Sequence, residues 1–341
     1  MTSDPNLRGT VVGLKARFTA ARTPPCVAFL VVMIACGEPT SSSGGTTTGA
    51  SGSGGSSSTS AATEPDETGA DTEGDVVPFS GDLRVMTFNI LCSICDGTFD
   101  PWEDRVPWIG DTIVRHDPDL IGLQELVFDS EMEQVLAVAP GYAAIAYNAG
   151  QRSAYPDATI LYRESMFEPM EHGFYWLSPT PDVPRSTGFI DTFQLARLVT
   201  WAVFRRVDDD AQLYFATTHF DNNAPSQTLS APLVLDRTAP FAQTLPVVMV
   251  GDFNARPDSE AYGILTGAGG FSDAFQSAEA WSVDSNEEPA PRYDPSVLID
   301  HIFTAGAEWS TTTWSADLWS YGDNDLPISD HWAVTADLQL P

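Results

Sequence analysis

Nine stretches of apolar, strand-like sequence recur through the second part of this chain, and they constrain its fold more than any other feature. Several, such as PVVMVG, are apolar at nearly every position, whereas a strand with one solvated face alternates apolar and polar residues. Burial on both faces is typical of strands inside layered domains. The stretches begin at Leu83, Asp119, Tyr142, Ala158, Arg197, Gln212, Leu245, Val297 and His331.

Three segments between these stretches have helical periodicity. The first, PWEDRVPWIGDTIVRHDPDL, should end before Pro118, and it places four apolar residues on one face: Val106, Ile109, Ile113 and Val114. The segments SEMEQVLAVAP and SQTLSAPLVLDRTAPFAQ have similar patterns. About ten strands with a few helices in one domain predict two sheets packed face to face, with the helices outside.

The first eighty residues differ from the rest and predict an export signal followed by a linker. Basic residues precede the apolar run VAFLVVMIA, which is too short to span a bilayer but fits a signal peptide. Cys36 follows directly, and MIAC resembles a bacterial lipobox, which predicts lipidation of Cys36; an ordinary signal peptide cut nearby is the alternative. Ser, Gly and Thr dominate the following residues, which predicts a disordered linker.

We therefore predict a lipoprotein-type signal peptide at residues 1–36, a linker at 37–80 and one folded domain at 81–341. This organisation predicts an exported bacterial protein that a lipid anchor holds at the outer membrane or cell surface. Without the lipid, the protein would be periplasmic or secreted. We expect the domain to be a monomer.

The folded domain is strongly acidic. The whole chain has a formal net charge of -31, and from Gly81 onward it has twelve Arg, no Lys and thirty-nine Asp plus Glu. Nonspecific binding of nucleic acid relies on Lys and Arg that neutralise phosphates, so this composition disfavours a long nucleic-acid track.

Cys92 and Cys95 are the two cysteines of the folded domain, in the sequence CSIC. A zinc site needs further ligands of similar type, and the sequence has no second C-x-x-C pair. In an oxidising compartment a local disulfide is the favoured interpretation, with two free thiols as the alternative.

Polar residues stand at the ends of the apolar stretches, where burying an unpaired carboxylate or amide would be costly. Taken singly, each could be a turn residue, a helix cap or a satisfied core histidine. Chance does not readily explain why so many occur at strand ends and so few inside the strands. The set is Asn89, Glu125, His219, Asp221, Asp252, Asn254, Asp300, Asp330 and His331.

In chain order, FNI, LQE, THFDNN, GDFNARPDS, IDHIF and SDHW resemble the endonuclease/exonuclease/phosphatase superfamily, and GDFN with SDH is a specific combination. The resemblance extends from about Leu83 to Leu340. It implies a four-layer α/β sandwich of two mixed β-sheets, a divalent metal and phosphoester hydrolysis. The segments DGTFDPWEDRVPWIGDTIVRHDPDLIGLQE and FYWLSPTPDVP resemble a subgroup of bacterial metal-dependent hydrolases. Members of this subgroup often have Thr-His-Leu-Asp-His where this chain has THFDNN, so Asn222 replaces a histidine.

The chemistry of phosphoester hydrolysis assigns roles to these residues. Hydroxide must approach an anion, so the reaction needs charge neutralisation, an oriented water and a stabilised leaving oxygen. Hard oxygen ligands suit Mg²⁺ or Mn²⁺, and we predict Asn89, Glu125 and Asp330 as the metal ligands.

The remaining residues of the set are predicted to act on water and phosphate. Asp252 would orient or deprotonate the attacking water, and Asn254 and His219 would donate to phosphate oxygens. Asp300 would hold His331 in one tautomer and raise its pKa.

Weaker candidates for substrate binding are Arg197, Asp221 and Arg256; for Arg256, a surface salt bridge is the competing interpretation. The predicted function is a Mg²⁺- or Mn²⁺-dependent phosphoesterase that hydrolyses a phosphodiester or a phosphomonoester of a small molecule, a lipid headgroup or a nucleic acid. The alternatives are an extracellular nuclease and a binding module without catalysis.

Overall fold

The computed structural model describes residues 76–95, 97–147, 157–189 and 196–341. In chain order the elements are β1 (Gly81–Asn89), α1 (Trp102–His116), β2 (Leu120–Gln124), α2 (Asp129–Val138), β3 (Tyr142–Ile145), β4 (Ala158–Arg163), β5 (Phe167–Trp176), β6 (Leu198–Arg206), β7 (Gln212–His219), α3 (Ala224–Ala242), β8 (Val247–Asp252), α4 (Glu260–Leu265), β9 (Ser272–Asp273), α5 (Ala274–Ser277), β10 (Ala278–Asp284), β11 (Asp300–Ala305), β12 (Ser310–Asp317) and β13 (Ala333–Leu340).

The strands form two mixed sheets. Sheet I has seven strands in the order β10-β12-β13-β1-β2-β4-β3, and sheet II has six in the order β5-β6-β7-β8-β11-β9. In sheet I, β1 is parallel to β2 and antiparallel to β13. In sheet II, β7 is parallel to β8, and β8 is antiparallel to β11. The predicted sandwich of two mixed sheets is therefore confirmed.

The core between the sheets follows from the two-residue period of the central strands. Leu83 and Val85 of β1 pack in one cluster with Val248 and Val250 of β8. The alternate residues point outward: Met86 and the rest of the outer face of β1 pack with residues of α1 and α2, and the outer face of β8 packs with residues of α3 and α4. Helices thus cover the outer faces of both sheets, which gives four layers.

The inner faces change from apolar to polar toward one end of the sandwich. On β1, Thr87 and Asn89 follow Val85 on the same face, and on β8, Asp252 follows Val250. All three polar residues are buried. The hydrophobic core therefore leads directly into a polar end, and the predicted site residues gather there.

Some sequence-based expectations differ from the structure. β5, β9, β10 and β12 were not predicted, because their sequences are polar or exposed along one face. Val114 is 61% exposed, so it does not belong to the buried face of α1. The folded domain also begins before the predicted boundary at Gly81, since Phe79 is buried and donates a backbone hydrogen bond to Gln212 (2.8 Å).

Cys36, the predicted signal peptide and most of the predicted linker lie outside the described residues. Among the helices of the described residues, none combines the length and apolar character that crossing a membrane requires.

Candidate active site

Strand direction brings the site residues to one edge of the sandwich. Because β1, β2, β7 and β8 run toward this edge, residues at their carboxyl ends lie there, among them Asn89, Glu125 and His219. Because β4, β6, β11 and β13 run the other way, residues that precede or begin these strands lie at the same edge. These include Asp157, Arg197, Asp300, Asp330 and His331.

Asp252 is the centre of the site. Its Oδ2 atom lies 3.3 Å from Nε2 of His219 and 3.6 Å from Nε2 of His331, and it accepts a hydrogen bond from Nδ2 of Asn89 (3.1 Å). Burial would raise the pKa of the Asp252 carboxyl, but His331 and His219 outweigh that effect and lower it. Asp252 is therefore an ionised acceptor between two imidazole rings.

His331 is held by Asp300. Nδ1 of His331 lies 2.8 Å from Oδ2 of Asp300, which is the arrangement of a donating Nδ1–H. Burial would lower the pKa of His331, but the Asp300 and Asp252 carboxylates hold it well above its ordinary value. The imidazolium form is thus favoured, as the sequence predicts for an electrostatic donor.

Asp157 holds the other imidazole, although it is not among the residues that the sequence motifs predict. Its Oδ1 lies 2.8 Å from Nδ1 of His219, and its Oδ2 accepts from Arg197 (2.7 Å). Burial would raise the pKa of Asp157, but His219 and Arg197 hold it well below its usual range. Asp157 directly precedes β4, an apolar strand antiparallel to β2, so it must lie at the same edge of the sheet as Glu125. This position is the sequence signal that could have identified it.

The three predicted metal ligands lie on sheet I or directly beside it. Glu125 follows β2 with a left-handed φ of 72°; its Oε1 accepts from Nδ2 of Asn89 (3.1 Å) and its Oε2 from the backbone of Cys92 (2.9 Å). Asp330 is exposed as a whole residue, yet desolvation raises the pKa of its carboxyl, and so does the negative charge of Glu125.

These residues fit a hard divalent cation. Carboxylates of Glu125, Asp252, Asp300 and Asp330 converge with only two imidazoles between them, which leaves an excess of negative charge. Oδ1 of Asp300 is buried without a hydrogen-bond partner. Oxygen donors with few nitrogens and no free thiolate match the ligand chemistry of Mg²⁺ or Mn²⁺.

Two further clusters of potential ligands in the described residues are already occupied by other interactions. Cys92 and Cys95, beside Glu125, form a disulfide, which is the favoured of the two interpretations of CSIC. His116, Asp284 and Asp317 form the other cluster on the outer side of sheet I, where the Arg115 guanidinium pairs with both aspartates.

The remaining candidates have different environments. Asn254 has a left-handed φ of 49° beyond the end of β8, so it does not continue the strand face on which Asp252 lies. Its backbone N–H donates to Oδ1 of Asp252 (2.8 Å), and Nδ2 donates to the Phe220 carbonyl (3.1 Å), which leaves one amide hydrogen for a ligand. Arg197 and Asp221 are buried, whereas Arg256 is exposed.

Comparisons with known proteins agree with this architecture. Protein angel of Drosophila melanogaster is 25% identical over 214 residues, which are 60% of this chain and 59% of that protein. The chain therefore spans about three fifths of the length of this curated relative.

Two solved structures from Bacteroides thetaiotaomicron are similar over nearly their whole length. An endonuclease/exonuclease/phosphatase family protein has 25% identity and a TM-score of 0.68, covering 77% of this chain and 99% of that one. A mannosyl-6-phosphatase has 26% identity and a TM-score of 0.66, covering 75% and 99%. The model of the endonuclease/exonuclease/phosphatase family matches residues 86–331, and the chain belongs to this family.

Proposed function

We propose that this protein is a Mg²⁺- or Mn²⁺-dependent phosphoesterase of the hydrolase class, and that its substrate is a small phosphoester. The observation that carries the proposal is the ionised Asp252 carboxylate between the imidazoles of His219 and His331. This arrangement supplies an acceptor for a proton of water and two donors for phosphate oxygens, and phosphoester hydrolysis uses both.

The residues divide the reaction between them. Asp252 accepts a proton from the attacking water and orients its lone pair toward phosphorus. His331, kept cationic by Asp300, donates from Nε2 to a phosphate oxygen and stabilises the negative charge that develops there. His219 supplies a second donor, and Asp157 with Arg197 keeps its ring in place.

Asn89, Glu125 and Asp330 would hold the metal ion. When bound, the ion neutralises phosphate charge and stabilises the leaving oxygen. The carboxamide of Asn89 touches both Glu125 and Asp252, so it would link the metal side of the site to the residue that binds water.

Charge supports a small substrate over a nucleic acid. Most of the arginines with described partners are neutralised by carboxylates: Arg84, Arg115, Arg163, Arg197, Arg205, Arg206 and Arg237. Few cations among the described residues remain for a polyanion, whereas one phosphate group needs only the metal and the two imidazoles. The mannosyl-6-phosphatase among the similar structures supports a phosphomonoester of a sugar as the first substrate class to test.

Export and lipid anchoring also belong to the proposal. The apolar run before Cys36 and the Ser/Gly/Thr-rich residues after it support an anchored domain outside the cytoplasm. The Cys92–Cys95 disulfide supports an oxidising compartment.

The test is a substrate panel for the full chain with Mg²⁺ or Mn²⁺: sugar phosphates, simple phosphodiesters, phospholipids, plasmid DNA and RNA. We expect release of inorganic phosphate from sugar phosphates and its loss in His331→Ala. His172→Ala, which removes an exposed imidazole on β5, is the matched control and should retain activity. Cleavage of DNA or RNA alone would establish the nuclease instead, and inactivity on every phosphoester would favour the binding module.

A further inference from the structure

The two halves of the proposed metal site come from different parts of the chain. Asn89 ends β1 and Glu125 directly follows β2, whereas Asp330 lies in the turn before β13. A metal ion bound by all three depends on a fixed distance between these segments. The question is which group fixes that distance before an ion binds.

Arg105 of α1 contacts both segments. It is 2% exposed, and it lies behind the site rather than in it. Its hydrogen bonds to the described residues all end on backbone carbonyl oxygens, those of Ile90 (2.6 Å), Leu91 (3.0 Å), Cys92 (3.4 Å), Asp100 (3.0 Å) and Ile328 (3.3 Å).

The carbonyls at residues 90–92 belong to the turn that orients the ligands. In this turn the N–H of Leu91 donates to Oδ1 of Asn89 (3.1 Å), and the N–H of Cys92 donates to Oε2 of Glu125 (2.9 Å). Leu91 has a left-handed φ of 56°, a conformation that a β-turn or tertiary contacts must stabilise in a leucine. By holding the carbonyls of this turn, Arg105 keeps the backbone N–H groups of Leu91 and Cys92 directed at two proposed metal ligands, Asn89 and Glu125.

The fifth carbonyl connects the turn to the other half of the site. Ile328 lies two residues before Asp330. The same guanidinium nitrogen of Arg105, Nη1, donates to the carbonyls of Ile328, Ile90 and Leu91. A planar guanidinium can donate in several fixed directions at once, which an ammonium cannot reproduce.

The positive charge of Arg105 acts on one carboxylate from each half of the proposed metal site. Burial lowers the pKa of the Arg105 guanidinium, and the carboxylates that act most strongly against this effect are those of Asp330 and Glu125, one from each half of the site. The buried cation therefore offsets part of the repulsion between the two carboxylates.

We propose that Arg105 is a positioning residue that fixes the two halves of the metal site relative to each other before an ion binds. It touches neither the ion nor the substrate. This inference rests on the proposed function, because it takes Asn89, Glu125 and Asp330 as the metal ligands.

The test measures Mn²⁺ binding to the full chain by calorimetry, without substrate. Arg105→Lys keeps the positive charge but loses the planar guanidinium that donates in several fixed directions. We expect at least a tenfold higher Kd for Mn²⁺. Arg163→Lys is the matched control, because Arg163 also donates to a carbonyl (Pro118, 3.0 Å) but lies at the opposite end of β4 from Asp157. The Kd of Arg163→Lys for Mn²⁺ should stay within twofold of the Kd of the unmodified chain.

Two outcomes separate this inference from the proposed function. If the unmodified chain binds no Mn²⁺, the metal site itself is wrong. If it binds Mn²⁺ and folded Arg105→Lys binds within twofold as tightly, the positioning role is wrong.

A second measurement covers the case in which Arg105→Lys does not fold. Amide hydrogen exchange of the unmodified chain should show the N–H groups of Leu91, Cys92 and His331 opening together, with Mn²⁺ slowing all three. Independent opening of the two segments would overturn the inference.

Discussion

At the scale of single residues, the site consists of two histidine–aspartate pairs on either side of one carboxylate. Asp300 holds His331, Asp157 holds His219, and both rings reach toward Asp252. The sequence motifs predicted four of these five residues. Asp157 belongs to none of the motifs. Only the direction of the strand that follows it, β4, shows that it lies at the edge of the sandwich where the site is.

Asp300→Asn tests the electrostatic role of the first pair. The raised pKa of His331 keeps the ring protonated until the pH rises through that pKa, so activity should fall on the alkaline side. Without the Asp300 charge the pKa falls, and the alkaline limb of the kcat/KM profile should move to lower pH, with kcat reduced by about 10²-fold or more. An unmoved limb would show that His331 does not act as a cation.

Asp157→Asn tests the second pair through stability. The substitution removes the carboxylate charge that pairs with the buried side chains of Arg197 and His219, and we expect the free energy of unfolding to fall by about 3–5 kcal/mol in urea denaturation. The matched control is Glu168→Gln, which removes an exposed partner of Arg205 and should cost less than about 1 kcal/mol. Equal losses in the two variants would contradict the structural role of the buried pair.

At the scale of elements, hydrophobic periodicity predicted the central strands and the three long helices, and it missed four strands. β12, with the sequence STTTWSAD, buries Trp314 on one face and has polar residues between, while β10 is an edge strand that is largely exposed. Such strands are defined by their neighbours in the sheet rather than by their own sequence. The missed strands lie toward the edges, so the site could be predicted without them.

Gly122 of β2 shows how closely the sheets approach beneath the site. A Cβ at this position would lie 2.3 Å from Oγ1 of Thr217 on sheet II and 2.5 Å from a methyl of Val250. Gly122→Ala should therefore lower the free energy of unfolding by about 1–3 kcal/mol. Gly263→Ala in α4, where the added methyl meets no atom within 4 Å, should leave stability unchanged or raise it by up to about 1 kcal/mol. Denaturant titration of both variants measures the difference.

The disulfide beside Glu125 offers a test of what holds the turn at residues 90–92. Because Arg105 binds the carbonyls of this turn, we expect reduction of Cys92–Cys95 by dithiothreitol to change the half-saturating Mn²⁺ concentration by less than about twofold. Thiol titration would verify the reduction. A tenfold change would assign the positioning of Glu125 to the disulfide.

At the scale of the whole molecule, the large negative net charge affects how an anionic substrate approaches the site. An acidic domain repels an anionic substrate over a distance that salt shortens, since the Debye length falls from about 30 Å at 0.01 M to about 10 Å at 0.1 M. With saturating Mg²⁺, the KM for a sugar phosphate should therefore fall by roughly two- to threefold as NaCl rises over this range. A KM that rises with salt would reveal a local cationic patch that attracts the substrate.

The polar end of the core has a consequence for how this molecule tolerates change. Sheet I supplies Asn89 and Glu125 and sheet II supplies Asp252, so the thickness of the apolar layer between them fixes the distance from the proposed metal ligands to the residue that we propose binds water. A core substitution far from any ligand can leave the protein fully folded and still slow the reaction, because a small displacement of one sheet changes that distance. The packing of the apolar core therefore helps to set the geometry of the proposed active site.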